Sequence, residues 1–577
     1  MLNNKGKIWH IKDDPPGASR LAEEAGISKL LASLLIHRGV SSPDSAKAFL
    51  FPRLRDLSDP FLIKDMDRAV ELIAGFIKDR KKITIYGDYD VDGITAVALL
   101  VDFFSRLGVP ISFYIPHRLE EGYGLNEKSI RDIASEGTRL LITVDCGINS
   151  IPEIVLAKKL GMEVIVTDHH QVPSDFEPIC PTINPLRSDS SFYFRGLSGV
   201  GVAFYLAIGV RSYLRDEVYF SRETDEPDLK PYLDLVALGT VADVVPLIEE
   251  NRILVKSGLR VLADSRRHGI RALFNISGIN MGQTITSDDI AFKLAPRLNA
   301  IGRLDSATGA VKLLTTNNIE EASLIADHME SLNAQRQAIQ DKILSSGKKM
   351  IEGIRDFQKQ RTIVLFDPEW HLGVVGFVAS KIAEEYYRPT FILGVKGGLI
   401  RGSGRSIDGF NLWEALSNLG DILEHFGGHY HAAGISFEHK NLEAFCERLE
   451  EFAEKGIDSG DMIPKIDIDA LLNLDSINLK SLKEIEMLHP FGCQNPQPIF
   501  SSGPLQVISS RVVGNGHLKI KIKEKGIIFD CIAFRKAGLH PLDGKTVDAV
   551  FHLETNEWQG IESIQLVIVD IHVYPSP

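Results

Sequence analysis

The chain has 577 residues, too long for one compact domain and enough for about three or four, each burying its own core. Hydrophobic residues make up 44% and charged residues 24%, as in ordinary globular proteins. A net charge of −13 excludes a general nucleic-acid coat, which would be basic over most of its surface, but leaves room for a local basic groove.

The opening stretch MLNNKGKIWHIKDDPPG has no apolar signal region, and no run approaches the roughly 18 apolar residues of a membrane span. The five cysteines (Cys146, Cys180, Cys446, Cys493 and Cys531) make no CxxC pair. Free thiols in a reducing compartment, no membrane association and a cytoplasmic location are therefore expected.

The first 80 residues read as helical, with apolar spacing in ASRLAEEAGISKLLASLLIHRG and a Ser-Pro helix start in SSPDSAKAFL. From residue 81 short β-branched runs (KKITIYG, RLLITVD, MEVIVTD) alternate with helical stretches (AVALLVDFFSRLG, IPEIVLAKKLG). That alternation predicts a parallel sheet covered on both faces. After about residue 260 the pattern is helical. It includes residues 319–350, where Ile325, Met329, Leu332, Ile339 and Ile343 recur at heptad-like spacing and fit a packed helix joining two lobes. A second α/β unit starts at RTIVLFD and contains the glycine-rich GGLIRGSGRS and FGGHYHAAG. From about residue 458 five short strands with Gly/Asn turns predict a small barrel of OB type.

Acidic residues finish the strands. The stretch ITIYGDYDVDG supplies Asp88, Asp90 and Asp92, LITVDCG supplies Asp145, and VIVTDHH supplies Asp168, His169 and His170. LVALGTVADVVPL, read as a fourth such end, supplies Asp243. A lone Asp after a strand is usually a turn or cap residue, but carboxylates and imidazoles converging at one sheet edge suit two divalent cations. A calcium-binding EF-hand loop does not fit, because its twelfth position from Asp88 is Leu99 and Gly93 is misplaced.

GDYDVDG, VDCG, TDHH and GTVADVVPL together resemble the four motifs of the DHH phosphoesterases. RGSGRS and GGHYHAAG resemble their DHHA1 substrate-binding domain. APRLNAIGRL, EWHLGVVGFVASKIAEEYYRP and a barrel after HPFGCQNPQPIF make the chain most similar to the RecJ family of bacterial single-strand-specific DNA exonucleases. The resemblance implies an α/β fold: two α/β lobes, a DHH parallel-sheet domain and a DHHA1 domain, joined by a long helix, plus a C-terminal OB-fold barrel. The expected division is an N-terminal helical segment (1–65), a DHH catalytic domain (66–260), a helical connector (261–355), a DHHA1 domain (356–457) and an OB-like nucleic-acid-binding domain (458–577).

By the same resemblance, Asp90, Asp92, Asp145, His169 and Asp243 ligate Mn2+ or Mg2+, with Asp145 and Asp243 as bridges. His170 lies beside the scissile phosphate, and Asp88 and Asp168 are ligands or their supports. Many relatives carry His where this chain has Tyr86, so Asp88 or water takes the place of that imidazole. The implied reaction is 5′ to 3′ hydrolysis of single-stranded DNA in repair and recombination, by a monomer, with a helicase and a single-strand-binding protein as candidate partners. A DHH phosphodiesterase acting on short oligonucleotides or cyclic dinucleotides predicts a shorter chain without the barrel, and an inactive scaffold predicts eroded ligands.

Glycines in RGSGRS let backbone N–H groups approach an anion. Arg401, Ser403, Arg405 and Ser406, with Gly428 and His429, are the expected phosphate clamp, joined by Arg297, Asn299 and Arg303 from the connector. In the barrel, period two places Lys519, Lys521, Lys523 and Lys525 on one strand face for single-stranded DNA. Residues 501–577 carry eight basic and eight acidic side chains, so any channel there is local.

Overall fold

The computed structural model describes residues 7–118, 120–221, 225–458, 460–558 and 561–575. The chain forms two compact units. One holds the stretch ending at Pro16, Ala334–Glu484 and the stretch from Pro498 onward; the other holds Gly17–Asn333 and Ile485–Gln497.

In the unit containing Gly17–Asn333, two of the apolar runs become strands buried at every position, Ile83–Gly87 and Leu140–Val144. A strand with no polar face belongs inside a parallel sheet with helices on both sides. The order across the sheet is Ile111–Tyr114, Ile83–Gly87, Leu140–Val144, Glu163–Thr167 and Thr182–Ile183, all parallel. Register pairs Gly87 with Val144 and Val144 with Thr167. The next residues, Asp88, Asp145 and Asp168, therefore leave the sheet side by side at its carboxyl edge.

Helix Val91–Arg106 covers the sheet and packs against helices Gly199–Asp216 and Leu233–Ala242. Phe103, Phe104, Leu99, Val200 and Leu238 are fully buried there, each such side chain contributing roughly 1.5–3 kcal/mol by leaving water.

In the other unit, strands His425–Gly428, Ala432–Glu438, Leu399–Arg405, Thr390–Lys396 and Ile363–Phe366 form a sheet in that order. All its pairs are antiparallel except the last. The barrel runs Phe500–Val513, His517–Glu524, Ile527–Ala533, Ile561–Val573 and Thr546–Trp558, and the last pairs back on the first, which closes it. Closure leaves no exposed barrel edge. The connector helix Ile319–Glu352 is continuous, and the division between the units falls within it. Met329 and Leu332 are buried in one core and Ile343 in another.

Three expectations need correction. The N-terminal region is not only helical, since Ile8–Ile11 is a strand paired parallel with Lys465–Ile468. Four residues show no period, and the partner is hundreds of positions downstream. ASRLAEEAGISKLLASLLIHRG is helical as expected, in two pieces, Ala18–Ala25 and Lys29–Ile36, separated at Gly26, which has left-handed φ. Asp243 does not end a strand; it follows helix Leu233–Ala242, whose first nine residues are all buried. An element apolar all round looks like a buried strand in sequence. Lys525 lies beyond the end of strand His517–Glu524, in a turn at φ 46, so only Lys519, Lys521 and Lys523 share a strand face. Among the described residues no helix is long and apolar enough to cross a membrane.

Candidate metal centre and anion sites

Three groups of side chains at the carboxyl edge have ligand atoms within 4.8 Å of one another: Asp88, Asp90 and Asp145; Asp92, His169 and Asp243; and Asp145, His169 and His170. Asp145 and His169 each belong to two of the three groups. His169 Nε2 lies 3.0 Å from Asp145 Oδ1, 3.6 Å from Asp243 Oδ2 and 3.9 Å from Asp92 Oδ2.

Some of these carboxylates also hold the fold. Asp90 caps helix Val91–Arg106, its Oδ1 accepting from the amides of Asp92 and Gly93. Asp92 accepts from the amides of Gly199 and Val200 at 2.6 and 2.8 Å, so its charge meets the positive end of helix Gly199–Asp216. Gly93 lies in the first turn of the same helix. A Cβ there would lie 2.6 Å from the Asp88 carbonyl oxygen, so only glycine lets the Asp88 backbone fold over the first turn.

Asp88 Oδ1, Asp145 Oδ1 and His169 Nε2 are buried and have no hydrogen-bond partner. Buried polar atoms are almost always satisfied, and three orphans in one cluster are what hard-cation ligands look like without the cation. Burial pushes the carboxyls up: Asp92 to about 6, Asp243 to about 8, and Asp88 and Asp145 well above the ordinary value, with neighbouring carboxylates adding to the rise. For His169 burial favours the neutral ring, but Asp92 and Asp243 outweigh it and the net shift is upward. The donor set fits divalent cations that cancel this repulsion.

Asp168 is different. Its Oδ1 accepts from the His169 and His170 amides and lies 2.8 Å from His170 Nδ1, while Oδ2 accepts from the Ile148 amide. These donors, with the neighbouring imidazoles, outweigh burial and hold its pKa below the usual range. Asp168 orients His170 and keeps no oxygen free of protein donors.

The sequence reading missed the loop after strand Ile111–Tyr114. Tyr123 donates to the Asp145 carbonyl at 3.1 Å, and its oxygen lies 3.1 Å from His170 Nδ1. One assignment satisfies every contact: Nδ1–H is shared between Asp168 and Tyr123, which leaves the half-exposed Nε2 free. Arg118 lies over the Tyr89 ring at 4.8 Å and is one of the cations that temper Asp88. The signal available in sequence was an Arg, a Tyr and two glycines in HRLEEGYG directly after a strand. Tyr86 is fully buried and donates to the Gly124 carbonyl at 2.9 Å, bracing this loop.

Of the connector residues, Arg297 pairs with Glu330 at 2.6 Å and donates to the Lys293 carbonyl. Asn299 is half-buried, and Arg303 acts on Tyr89, whose carbonyl oxygen packs on Gly302.

The remaining anion candidates lie in the other unit. Arg401, Ser403 and Arg405 alternate along strand Leu399–Arg405. Arg405 Nη2 and Ser403 Oγ both lie close to Gly376, in the first turn of helix Val375–Tyr386. Ser406 spends its hydroxyl on the Phe410 carbonyl, and its amide donates to the His431 carbonyl. His429 is exposed in the turn after Gly428 and its amide donates to Ala432. In the barrel, exposed Lys521 and Lys523 and half-buried Lys519 alternate with buried Leu518, Ile520 and Ile522. A cavity of about 450 Å³ there is lined by Arg511, Lys519, Lys521 and Asp530.

The chain matches the DHH family, N-terminal domain, over residues 82–240, the DHHA1 domain over 359–455 and the RecJ OB domain over 468–570. It is 37% identical over 580 residues to the single-stranded-DNA-specific exonuclease RecJ of Bacillus subtilis (strain 168), covering 99% of this chain and 72% of that protein. It is 35% identical over 562 residues to the protein of the same name from Escherichia coli (strain K12), covering 95% and 96%. The crystal structure of RecJ with Mn2+ from Thermus thermophilus superposes with TM-score 0.83 at 30% identity, over 100% of this chain and 80% of that one. The same protein with Mg2+ gives 0.78 at 29%, over 99% and 79%.

Proposed function

Because the chain belongs to the RecJ family of DHH phosphoesterases, we propose that it is a metal-dependent exonuclease that hydrolyses single-stranded DNA from the 5′ end by a two-metal mechanism, in DNA repair and recombination. The observation that carries this reading is the convergence of three orphaned buried atoms, Asp88 Oδ1, Asp145 Oδ1 and His169 Nε2, in overlapping ligand groups that share Asp145 and His169.

Mn2+ or Mg2+ held there would lower the pKa of a water and offset charge on the phosphoryl oxygens. Asp90, Asp92, Asp145, His169 and Asp243 supply its donors, with Asp88 in the place that relatives give to an imidazole. His170 presents Nε2 to the phosphodiester, its ring held by Asp168 and Tyr123, and can donate a proton to a phosphate oxygen or the leaving group. Ser403 and Arg405, beside the first turn of helix Val375–Tyr386, together with Arg401 and His429 are proposed to hold backbone phosphates. Lys519, Lys521 and Lys523 are proposed to hold the strand farther along. Single strands opened by a helicase or carried by a single-strand-binding protein are the substrates in this reading, and the chain acts as a monomer.

The test is digestion of 5′-labelled and 3′-labelled single-stranded DNA with Mn2+ or Mg2+, beside Asp145→Ala and a blunt duplex. Label should leave the 5′ end first, and only from single strands. Activity surviving in Asp145→Ala, equal attack on the duplex, or release from the 3′ end would each overturn part of the proposal.

A further inference from the structure

Residues 485–497, which include most of HPFGCQNPQPIF, belong to the compact unit of the metal centre, although the residues on both sides of them belong to the other. Their backbone carbonyls are held by side chains of the catalytic unit. Arg252, only 2% exposed, donates to the carbonyls of Leu488, Met487 and His489, and also to Phe49. Lys256 donates to Met487, Ser287 to Phe491 at 2.6 Å, and Arg38 to Pro496. Fully buried Asn495 closes the segment on itself through the carbonyls of Leu488 and Pro490.

What this segment grips is the loop that follows Asp243. The Leu247 amide donates to the Cys493 carbonyl at 2.9 Å. A Cβ on Gly492 would lie 2.6 Å from Leu247 Cδ1, so the segment's backbone rests directly on that buried side chain. The loop is strained at both ends: Val244, a β-branched residue, has φ 61, and Glu249 has φ 46. Such conformations persist only where the surroundings over-determine them. The metal-centre end of the loop carries Asp243, whose Oδ2 lies 3.6 Å from His169 Nε2.

We propose that residues 487–497 are a positioning element of the metal centre: by pinning Leu247 they hold the strained 244–249 loop and so fix the Asp243 carboxylate in its ligand group. Gly492, Ser287 and Arg252 act through Leu247 and not on the substrate. The inference rests on the cation reading of the site. Outer supports of metal ligands typically change affinity about 10- to 100-fold when removed.

The test uses full-length protein and Mn2+ alone, without DNA. Wild type, Gly492→Val, Gly492→Val with Leu247→Ala, and Ser287→Ala are compared by Mn2+ titration, by circular dichroism, and by hydrogen exchange at amides 244–250. Gly492→Val should keep its native far-UV spectrum, lose about tenfold or more in Mn2+ affinity, and exchange faster at 244–250. Making room with Leu247→Ala should restore part of the affinity. A folded Gly492→Val with the wild-type Mn2+ isotherm overturns the proposal. Should that variant not fold, Ser287→Ala decides: unchanged affinity and exchange overturn the proposal, while a loss of both supports it. Wild type failing to bind Mn2+ would instead sink the cation reading.

Discussion

His169 Nε2 lies 3.0 Å from Asp145 Oδ1, and neither atom has a hydrogen-bond partner although both are buried. Asp145 also sits where burial and four neighbouring carboxylates oppose its charge. Without a cation it therefore destabilises the fold that presents it.

Asp145→Asn is accordingly expected to raise the melting temperature of the metal-free protein. The same change should shrink the Mn2+-induced rise in melting temperature and lower nuclease activity by about a thousandfold or more, since several kcal/mol of transition-state stabilisation is at stake. Thermal melts in EDTA and in Mn2+ check both halves. A variant less stable than wild type in EDTA would show that Asp145 is not held against repulsion.

The pH dependence has a definite sign. Asp92 and Asp243 have folded pKa values raised to about 6 and about 8. Between the ordinary carboxyl value and these raised values the folded protein binds more protons than the unfolded chain. Metal-free stability from these groups is therefore full at low pH and lost as pH rises through that window. His169, raised above its ordinary value, acts in the same direction. Against an Asp243→Asn control, wild type in EDTA should melt progressively lower from pH 5 to pH 8. The stabilisation by Mn2+ should grow over that range, because protons compete for the ligands. An EDTA melting curve that runs parallel to the control would contradict this.

The legible parts of the site follow from local periodicity. Asp88, Asp145 and Asp168 each end a β-branched run, and parallel register brings such ends together. Asp243 was legible as a residue but not by its element, because a helix buried on all sides has no polar face to give a 3.6-residue period. Tyr123 and Arg118 escaped because a loop has no period at all. The grip of Arg252 on Met487, Leu488 and His489 joins residues about 235 apart in sequence, and nothing local encodes it. The exchange of roles at Asp90, both helix cap and ligand candidate, shows why the cap reading and the metal reading of an Asp-x-Asp turn do not compete.

Tyr123→Phe removes one hydroxyl that touches both the Asp145 carbonyl and His170 Nδ1. Losing such a contact costs on the order of 1 kcal/mol, so kcat should fall about five- to tenfold. Asp168 still holds the His170 ring, so Mn2+ affinity should stay within about twofold. A change in Mn2+ affinity with kcat untouched would reassign Tyr123 to the ligand side.

The anion sites should separate by salt dependence. Lys521 is half-exposed, and its ammonium lies 3.8 Å from Asp530, an exposed pair worth little on its own. Lys521→Ala should lower the slope of log affinity against log salt by about 0.7 for single-stranded DNA, and weaken all sequences alike. Arg405→Ala should raise KM about tenfold, as expected for loss of a charge-assisted phosphate contact. Mn2+ affinity should not change, because a guanidinium offers a cation no donor atom. Titrations of labelled single strands at several salt concentrations, beside Mn2+ titrations of the same variants, measure both quantities. An unchanged slope in Lys521→Ala would remove the barrel lysines from the binding path. Weakened Mn2+ binding in Arg405→Ala would show that this arginine supports the metal centre and does not simply hold phosphate.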